Sequence, residues 1–272
     1  ASHSDSREIR IGAKPFSESL ILAELVGALL EEELDARVSI LPSLGSTVAY
    51  DGVRSGDVDA YVDYSGTVWA AIMKRNQRME REALYEEVQR FLEQQNIRLI
   101  GRLGFENTYA IALTRAKAQA LGVKTLSALS SKRVRLKLGT DYEFQGRDEY
   151  RSLTETYGFE FDEIRPMAAT LMYEALKLGE VDLITAYSTD GRIKGYDLVT
   201  LQDDEGAIPP YDAILLTSEA LHHTYSDAAE HLARLVSAID GETMRRLNFE
   251  VDEKKRSAKS VAREFLRSLP PR

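Results

Sequence analysis

Hydrophobic and polar positions alternate at the start of the chain, where "EIRIGA" (8–13) has the two-residue period of a strand. From Ser17 the period lengthens. Leu20, Ile21, Leu25, Leu29 and Leu30 fall on one face, which predicts an amphipathic helix. "RVSIL" (37–41) predicts a second strand, and a helix opens after "SLGST". Beyond Thr67 the pattern predicts two helices, the second over 80–95, then strands at "IRLIG" and at "NTYAIALT" (107–114). "RVRLKLG" (133–139), a helix over 148–157, "EIRPM" and the segment 170–188 repeat the order β-α-β-α-β. "YDAILLT" (211–217) is the last strand, and the rest reads helical up to the Leu269-Pro270-Pro271 stop. Strands alternating with helices imply an α/β fold whose parallel or mixed sheets are covered on both faces.

An internal similarity sharpens this picture. Residues 47–65, TVAYDGVRSGDVDAYVDYS, align without a gap to residues 170–188, TLMYEALKLGEVDLITAYS, at an offset of 123. Seven of the 19 positions are identical: Thr47/Thr170, Tyr50/Tyr173, Gly56/Gly179, Val58/Val181, Asp59/Asp182, Tyr64/Tyr187 and Ser65/Ser188. Each copy reads as a helix closed by a glycine, which takes a positive φ at low cost. A Val-Asp pair and a short strand then lead to Tyr-Ser. Two lobes of like construction are expected, each presenting a tyrosine at the end of a strand, where ligands bind in open α/β sheets. The final helices have no strands of their own and should pack back on the first lobe. The expected division is therefore lobe 1 over 1–106 with 213–272 returning to it, and lobe 2 over 107–212, with a ligand cleft between them.

Composition narrows the function. A chain of 272 residues suits two lobes better than one core. With 43% hydrophobic and 29% charged residues it is an ordinary globular chain. Apolar stretches such as "LILAELVGALL" are too short to span a bilayer. The polar start "ASHSDSRE" lacks a signal-peptide pattern and reads as a processed end or a linker remnant. A net charge of -9 argues against a nucleic-acid partner. The absence of cysteine excludes disulfides, thiolate metal sites and cysteine catalysis.

Catalytic chemistry finds little support. His3 lies in the leading tail, while His222, His223 and His231 fall in the helical C-terminal part. There is no His-Glu-x-x-His, Gly-x-Ser-x-Gly, Walker or Gly-x-Gly-x-x-Gly motif. Asp59 and Asp182 recur in the repeat, and hydrogen bonding at a strand start is the preferred reading of both over catalysis. No catalytic residue, metal site or cofactor is expected. Binding fits better. Tyr64 and Tyr187 are joined by Tyr109 in "NTYAIA" and Tyr211 in "PPYDA", both beside the expected crossovers. Four electron-rich faces suit a quaternary ammonium, which has no N–H to donate; each face contributes roughly 0.5–2 kcal/mol. Each tyrosine taken alone reads more simply as a core-edge residue.

These segments together resemble the substrate-binding proteins of glycine betaine, carnitine and choline ABC importers. The resemblance runs through "IGAKPFSESLILAEL", "LGSTVAYDGVRSGDVDAYVDYSGT", "NTYAIAL", "YEFQGRDEY", "AYSTDGRI" and "LQDDEGAIPPYDA". It implies a two-lobed type II periplasmic-binding-protein fold with two crossovers and a ligand held between the lobes. It assigns Tyr64, Tyr109, Tyr187 and Tyr211 to a trimethylammonium cage. Lys14, Thr67 and Arg147 become a clamp for the ligand carboxylate, for which arginine offers a planar fork. Taken alone, Lys14 reads as an exposed strand-end lysine and Arg147 as a surface charge.

The resemblance implies a small betaine-type ligand, a membrane permease partner, a periplasmic or membrane-tethered location and a monomer. It has departures. Pro15 and Ser17 stand where the family often reads Asn and Thr, "YVDYSGT" replaces "YPEYTGT", and Asn107 replaces a frequent Asp. The variant Asp63-Tyr64-Ser65 followed by Trp69 is more similar to members fused to their permease, a group that includes ergothioneine binders. Glycine betaine, carnitine, choline and ergothioneine stay open. Choline ranks last because it has no carboxylate for Lys14 and Arg147. A sensor domain, or an enzyme on the same fold, is the alternative class; the related tetrapyrrole-building deaminase needs a cysteine that this chain lacks.

Overall fold

The computed structural model describes residues 7–271 and divides the chain into two compact units. The first runs up to Glu106 and resumes at Pro210; the second is Asn107–Pro209. His3 and most of the polar start lie outside the described residues. The return to the first unit comes slightly before the expected residue 213. Tyr211 already donates its backbone N–H to Glu106 (3.1 Å), and Asp212 pairs with Glu106 in the sheet.

Among the described residues ten strands follow in chain order. They are β1 (Ile9–Gly12), β2 (Val38–Leu41), β3 (Ala60–Tyr64), β4 (Ile97–Glu106) and β5 (Tyr109–Thr114). Then come β6 (Lys137–Thr140), β7 (Glu163–Pro166), β8 (Leu183–Tyr187), β9 (Leu198–Thr200) and β10 (Asp212–Ser218). The first unit's sheet has the order β2-β1-β3-β10-β4 and the second's β7-β6-β8-β5-β9. In each, three parallel strands are joined by an antiparallel one, β10 against β3 and β5 against β8. The two units are thus α/β sheets of one plan.

The repeat occupies equivalent places in them. Helix Ser46–Ser55 leads to β3 and helix Ala169–Lys177 to β8, and the two strands are offset by the same 123 residues. Gly56 (φ 86°) and Gly179 (φ 74°) close the helices in the left-handed conformation that glycine adopts without penalty. Asp59 donates its N–H to the Arg10 carbonyl and accepts the Arg10 N–H on Oδ2, both at 2.8 Å. Asp182 does the same with Lys137, again at 2.8 Å. These aspartates fasten the start of one strand to its parallel neighbour. Burial raises the Asp59 pKa, opposed by the Arg10 backbone bond and by the Arg7 and Arg10 charges.

Both sheet faces of the first unit are covered. Ala213 and Leu215 face the helix Ser17–Leu34, while Ile214 and Leu216 face Tyr50, Leu84, Val88 and Leu92. Helix Ser17–Leu34 is buried on more than one side. Ile21, Leu22, Leu25, Val26, Leu29 and Leu30 are at most 1% exposed, whereas Leu20, expected on the core face, is only partly buried. The outer side is taken by the C-terminal helices Gly241–Asp252 and Ala258–Ser268. The helix expected after Thr67 begins sooner, as a turn over Ser65–Thr67 that widens into a π-helical turn over Val68–Ile72. The second unit also holds helices at Arg115–Leu121 and Leu126–Ser131 and the edge strand β9, which the apolar pattern did not suggest.

One buried histidine gives a pH test. His222 contacts Thr217 Oγ1 through Nε2 (2.7 Å), and burial, assisted by Arg98, lowers its pKa. An imidazole kept neutral by folding contributes stability that is fully present above its unfolded pKa of about 6.5 and is lost as pH falls toward the folded value. Below pH 6.5 the wild type should therefore lose stability relative to His222→Gln, with a slope of at most about 1.4 kcal/mol per pH unit. Urea midpoints between pH 7.5 and 5.5 read this directly, and parallel curves for the two proteins would refute it.

Candidate functional site

The site residues of the first unit gather at the carboxyl ends of its strands. Just past β1 the Lys14 N–H donates to Ser19 Oγ (2.8 Å), which fixes the backbone where the side chain departs. Lys14 Nζ is paired with Asp63, which is fully buried. Asp63 also accepts the Tyr61 hydroxyl (3.0 Å) and the Tyr64 N–H (2.8 Å). Burial, followed by the Asp63 charge, raises the Tyr61 pKa far above that of a free phenol. Lys14 Nζ stands 5.5 Å from the centre of the Tyr64 ring. The Tyr64 hydroxyl donates to Glu18 Oε2, and Asn248 Nδ2 donates to the other carboxylate oxygen (3.1 Å).

The Ser-Gly pair after Tyr64 has a structural task. Ser65 Oγ accepts the Asp212 N–H at 3.0 Å. At Gly66 a Cβ would lie 2.4 Å from the Pro210 carbonyl oxygen and 2.8 Å from the Tyr211 ring, so only glycine fits. The returning chain therefore lies directly against the turn that carries half-buried Thr67, and Tyr211 is set beside it. Arg81 secures the same place, pairing with Glu106 and with Asp212 (3.4 Å to the latter).

The second unit gathers Tyr109, Tyr187 and Arg147. Tyr109 opens β5 and Tyr187 closes β8, and the two are register partners. Their rings stack with centroids 4.9 Å apart and planes at 27°, and Tyr187 donates its hydroxyl to that of Tyr109 (3.4 Å). Tyr109 in turn donates to Asp141 Oδ2 (3.2 Å), while Asp141 Oδ1 receives the N–H groups of Glu143 and Phe144. The Arg147 guanidinium lies 5.1 Å from the Tyr109 ring centre and grips Glu149 through two bonds of 3.1 Å. Burial keeps Tyr109 protonated well beyond the ordinary phenol range. Burial pushes the Glu149 carboxyl up, but the Arg147 bonds outweigh it and leave the pKa below normal. Ser188 mirrors Ser65: it accepts the Thr108 N–H (3.0 Å), next to Tyr109. In both units the serine after the repeat tyrosine anchors the segment that carries the second tyrosine.

The structure thus brings Lys14 to Tyr64 and places Tyr211 against the turn of Thr67 in one unit. It brings Arg147, Tyr109 and Tyr187 together in the other. Tyr64 and Tyr109 are each 6% exposed, whereas Tyr187 is 49% exposed. Lys14 corrects one reading: it is not an exposed strand-end lysine but a buried one with a carboxylate of its own. The carboxylates Glu18, Asp63, Asp141 and Glu149 were missed as site residues. Asp63 and Glu149 sit inside the motifs "YVDYSGT" and "QGRDEY" beside the residues they hold, a signal that spacing could have given.

A pair of like-planned α/β units, exchanged twice by the chain and carrying tyrosines at strand ends, defines a two-lobed binding protein of the periplasmic type II class. A solved glycine betaine/carnitine/choline ABC transporter chain superimposes with a TM-score of 0.90 at 31% identity, covering 95% of this chain and 97% of that one. The family described as the substrate-binding domain of ABC-type glycine betaine transport systems matches residues 7–268, and the chain belongs to it. It is a family of binding proteins, not an enzyme class.

Curated relatives agree. The carnitine transport binding protein OpuCC of Listeria monocytogenes is 32% identical over 95% of this chain and 85% of its own length. A glycine-betaine-binding protein of Pseudomonas aeruginosa is 30% identical over 95% of this chain and 87% of its own. The ergothioneine transport permease/ergothioneine binding protein EgtU of Helicobacter pylori is 30% identical over 97% of this chain, which spans about half (48%) of that longer protein.

Proposed function

We propose that the chain captures a carboxylated quaternary ammonium compound and delivers it to the membrane permease of an ABC importer. Tyr64 and Tyr211 from one unit and Tyr109 and Tyr187 from the other take the trimethylammonium group. Arg147, Lys14 and Thr67 serve the carboxylate. The observation that carries this reading is the stacked Tyr109–Tyr187 pair with the Arg147 guanidinium over one ring: an aromatic surface and a forked donor side by side, as a betaine requires. Neither unit holds the whole set. A ligand that engages both therefore stabilises the arrangement in which both contribute, and the permease reads that arrangement.

The relatives' names favour glycine betaine, carnitine or ergothioneine, each a trimethylammonium compound with a carboxylate. Choline offers nothing for Arg147 to grip. Uptake of a protective osmolyte is the role that suits the first two. An importer's binding component works outside the cytoplasmic membrane, and among the described residues no helix is long and apolar enough to cross one. The permease is either a separate subunit or a further part of the same polypeptide, as the name and length of the H. pylori relative suggest. The binding unit itself acts as a monomer. Calorimetric titration with glycine betaine, carnitine, ergothioneine, choline and trimethylamine tests the proposal. Tight binding of one carboxylated compound with choline far weaker is expected; silence toward all five would overturn it.

A further inference from the structure

The two site clusters share a pattern that ligand contact alone does not require. In each, the phenol proton of a tyrosine goes to a carboxylate: Tyr64 to Glu18 and Tyr109 to Asp141. In each, the face of that ring is met by a cation, Lys14 at 5.5 Å and Arg147 at 5.1 Å. Each cation is matched by a second carboxylate, Asp63 for Lys14 and Glu149 for Arg147. One formal cation therefore stands against two formal carboxylates in both places. Glu18 and Asp141 lie outside the aligned repeat, and the tyrosines they hold are not repeat partners, since Tyr64 matches Tyr187 and not Tyr109.

We propose that Glu18 and Asp141 are positioning residues that tune the cage tyrosines for a permanent cation, a role that rests on the quaternary-ammonium reading above. The carboxylate acts on the ring in two ways. It fixes the plane, because the phenol has one strong acceptor in a set direction: Glu18 is itself held by Asn248, and Asp141 by the N–H groups of Glu143 and Phe144. It also draws the O–H proton away, which leaves more electron density on the oxygen and ring and makes the π face more negative. The Tyr187 hydroxyl extends the second arrangement into a directed chain, Tyr187 to Tyr109 to Asp141, in which each bond polarises the next. The cations' own carboxylates have a complementary effect. With Asp63 and Glu149 beside them, Lys14 and Arg147 repel an incoming trimethylammonium group less than bare charges would.

The experiment uses the purified chain with Glu18→Gln and Asp141→Asn, each alone and each combined with Tyr64→Phe or Tyr109→Phe respectively. Asn at 141 keeps an oxygen for the turn N–H groups and presents an amide donor to Tyr109, which reverses the bond. Calorimetry with glycine betaine, carnitine, choline and ergothioneine should show each single variant losing roughly fivefold or more in affinity. That loss should vanish where the matching tyrosine is already phenylalanine. In ligand-free protein labelled at tyrosine Cζ with carbon-13, Glu18→Gln should shift the Tyr64 resonance and Asp141→Asn that of Tyr109, without moving the other. Losses that persist in the phenylalanine backgrounds, or unmoved Cζ resonances, overturn the tuning role while leaving the binding function intact. Should Glu18→Gln fold poorly, the half-buried Asp141 arm decides alone. A wild-type chain that binds none of the four ligands sinks the quaternary-ammonium reading, and this role falls with it.

Discussion

Asp63→Ala should destabilise the first unit by about 3–5 kcal/mol, the usual penalty for removing one partner of a buried ion pair. Asp63 is fully buried and Lys14 is 9% exposed, so the lysine ammonium would be left with little water and no counter-charge. Two further donors lose their acceptor at once, the Tyr61 hydroxyl and the Tyr64 N–H. Lys14→Met should cost a similar amount from the other side, since it strands the Asp63 carboxylate. The two effects should not add. A Lys14→Met/Asp63→Ala double variant removes both charges together and should be more stable than the summed single losses predict. Urea unfolding of the four proteins measures this. Single variants within about 1 kcal/mol of wild type would show that the pair is not held in the low-dielectric interior. The pairing also limits the part Lys14 can take in ligand binding, because any ligand carboxylate must share its ammonium with Asp63.

Much of this plan was readable in the sequence. The 123-residue offset of the repeat survives as equivalent helices, glycine caps and strands, because a helix-Gly-Val-Asp-strand string is governed by local backbone requirements. The strand-end positions of Tyr64 and Tyr187 follow from the same string. Other features depended on tertiary partners. Helix Ser17–Leu34 is buried on more than one side because the C-terminal helices cover its outer side, and a one-face reading could not see them. Taken alone, Lys14 read as exposed because nothing in "AKPF" announces that Asp63, 49 residues on, pairs with its side chain. Glu18 and Asp141 were hidden by number: among 44 acidic residues, the few that are bonded within the site look like the many that are solvated. The wide turn at Val68–Ile72 and the edge strand β9 carry no period by which to find them.

Gly66→Ala should cost about 1–3 kcal/mol of stability by overpacking, and should weaken ligand binding by more than that loss explains. The added methyl group would lie 2.4 Å from the Pro210 carbonyl oxygen and 2.8 Å from the Tyr211 ring. A tyrosine ring can swing away, but the carbonyl belongs to a backbone held by the two residues that follow it: Glu106 takes the Tyr211 N–H and Ser65 takes the Asp212 N–H. Relief must therefore come from moving the Pro210–Tyr211 segment off the turn that carries Thr67. Tyr211 moves with it, and under the proposed function that displacement is read as lost affinity. Gly146→Ala is the matched control: it sits beside Arg147 in the second unit, and nothing stands within 4 Å of its Cβ position. It should leave stability and affinity close to wild type. Adding Tyr211→Ala to Gly66→Ala should recover little stability, because the carbonyl contact remains when the ring is gone. Recovery of most of the loss would instead make the ring, and not the Pro210 backbone, the feature that demands glycine at this position.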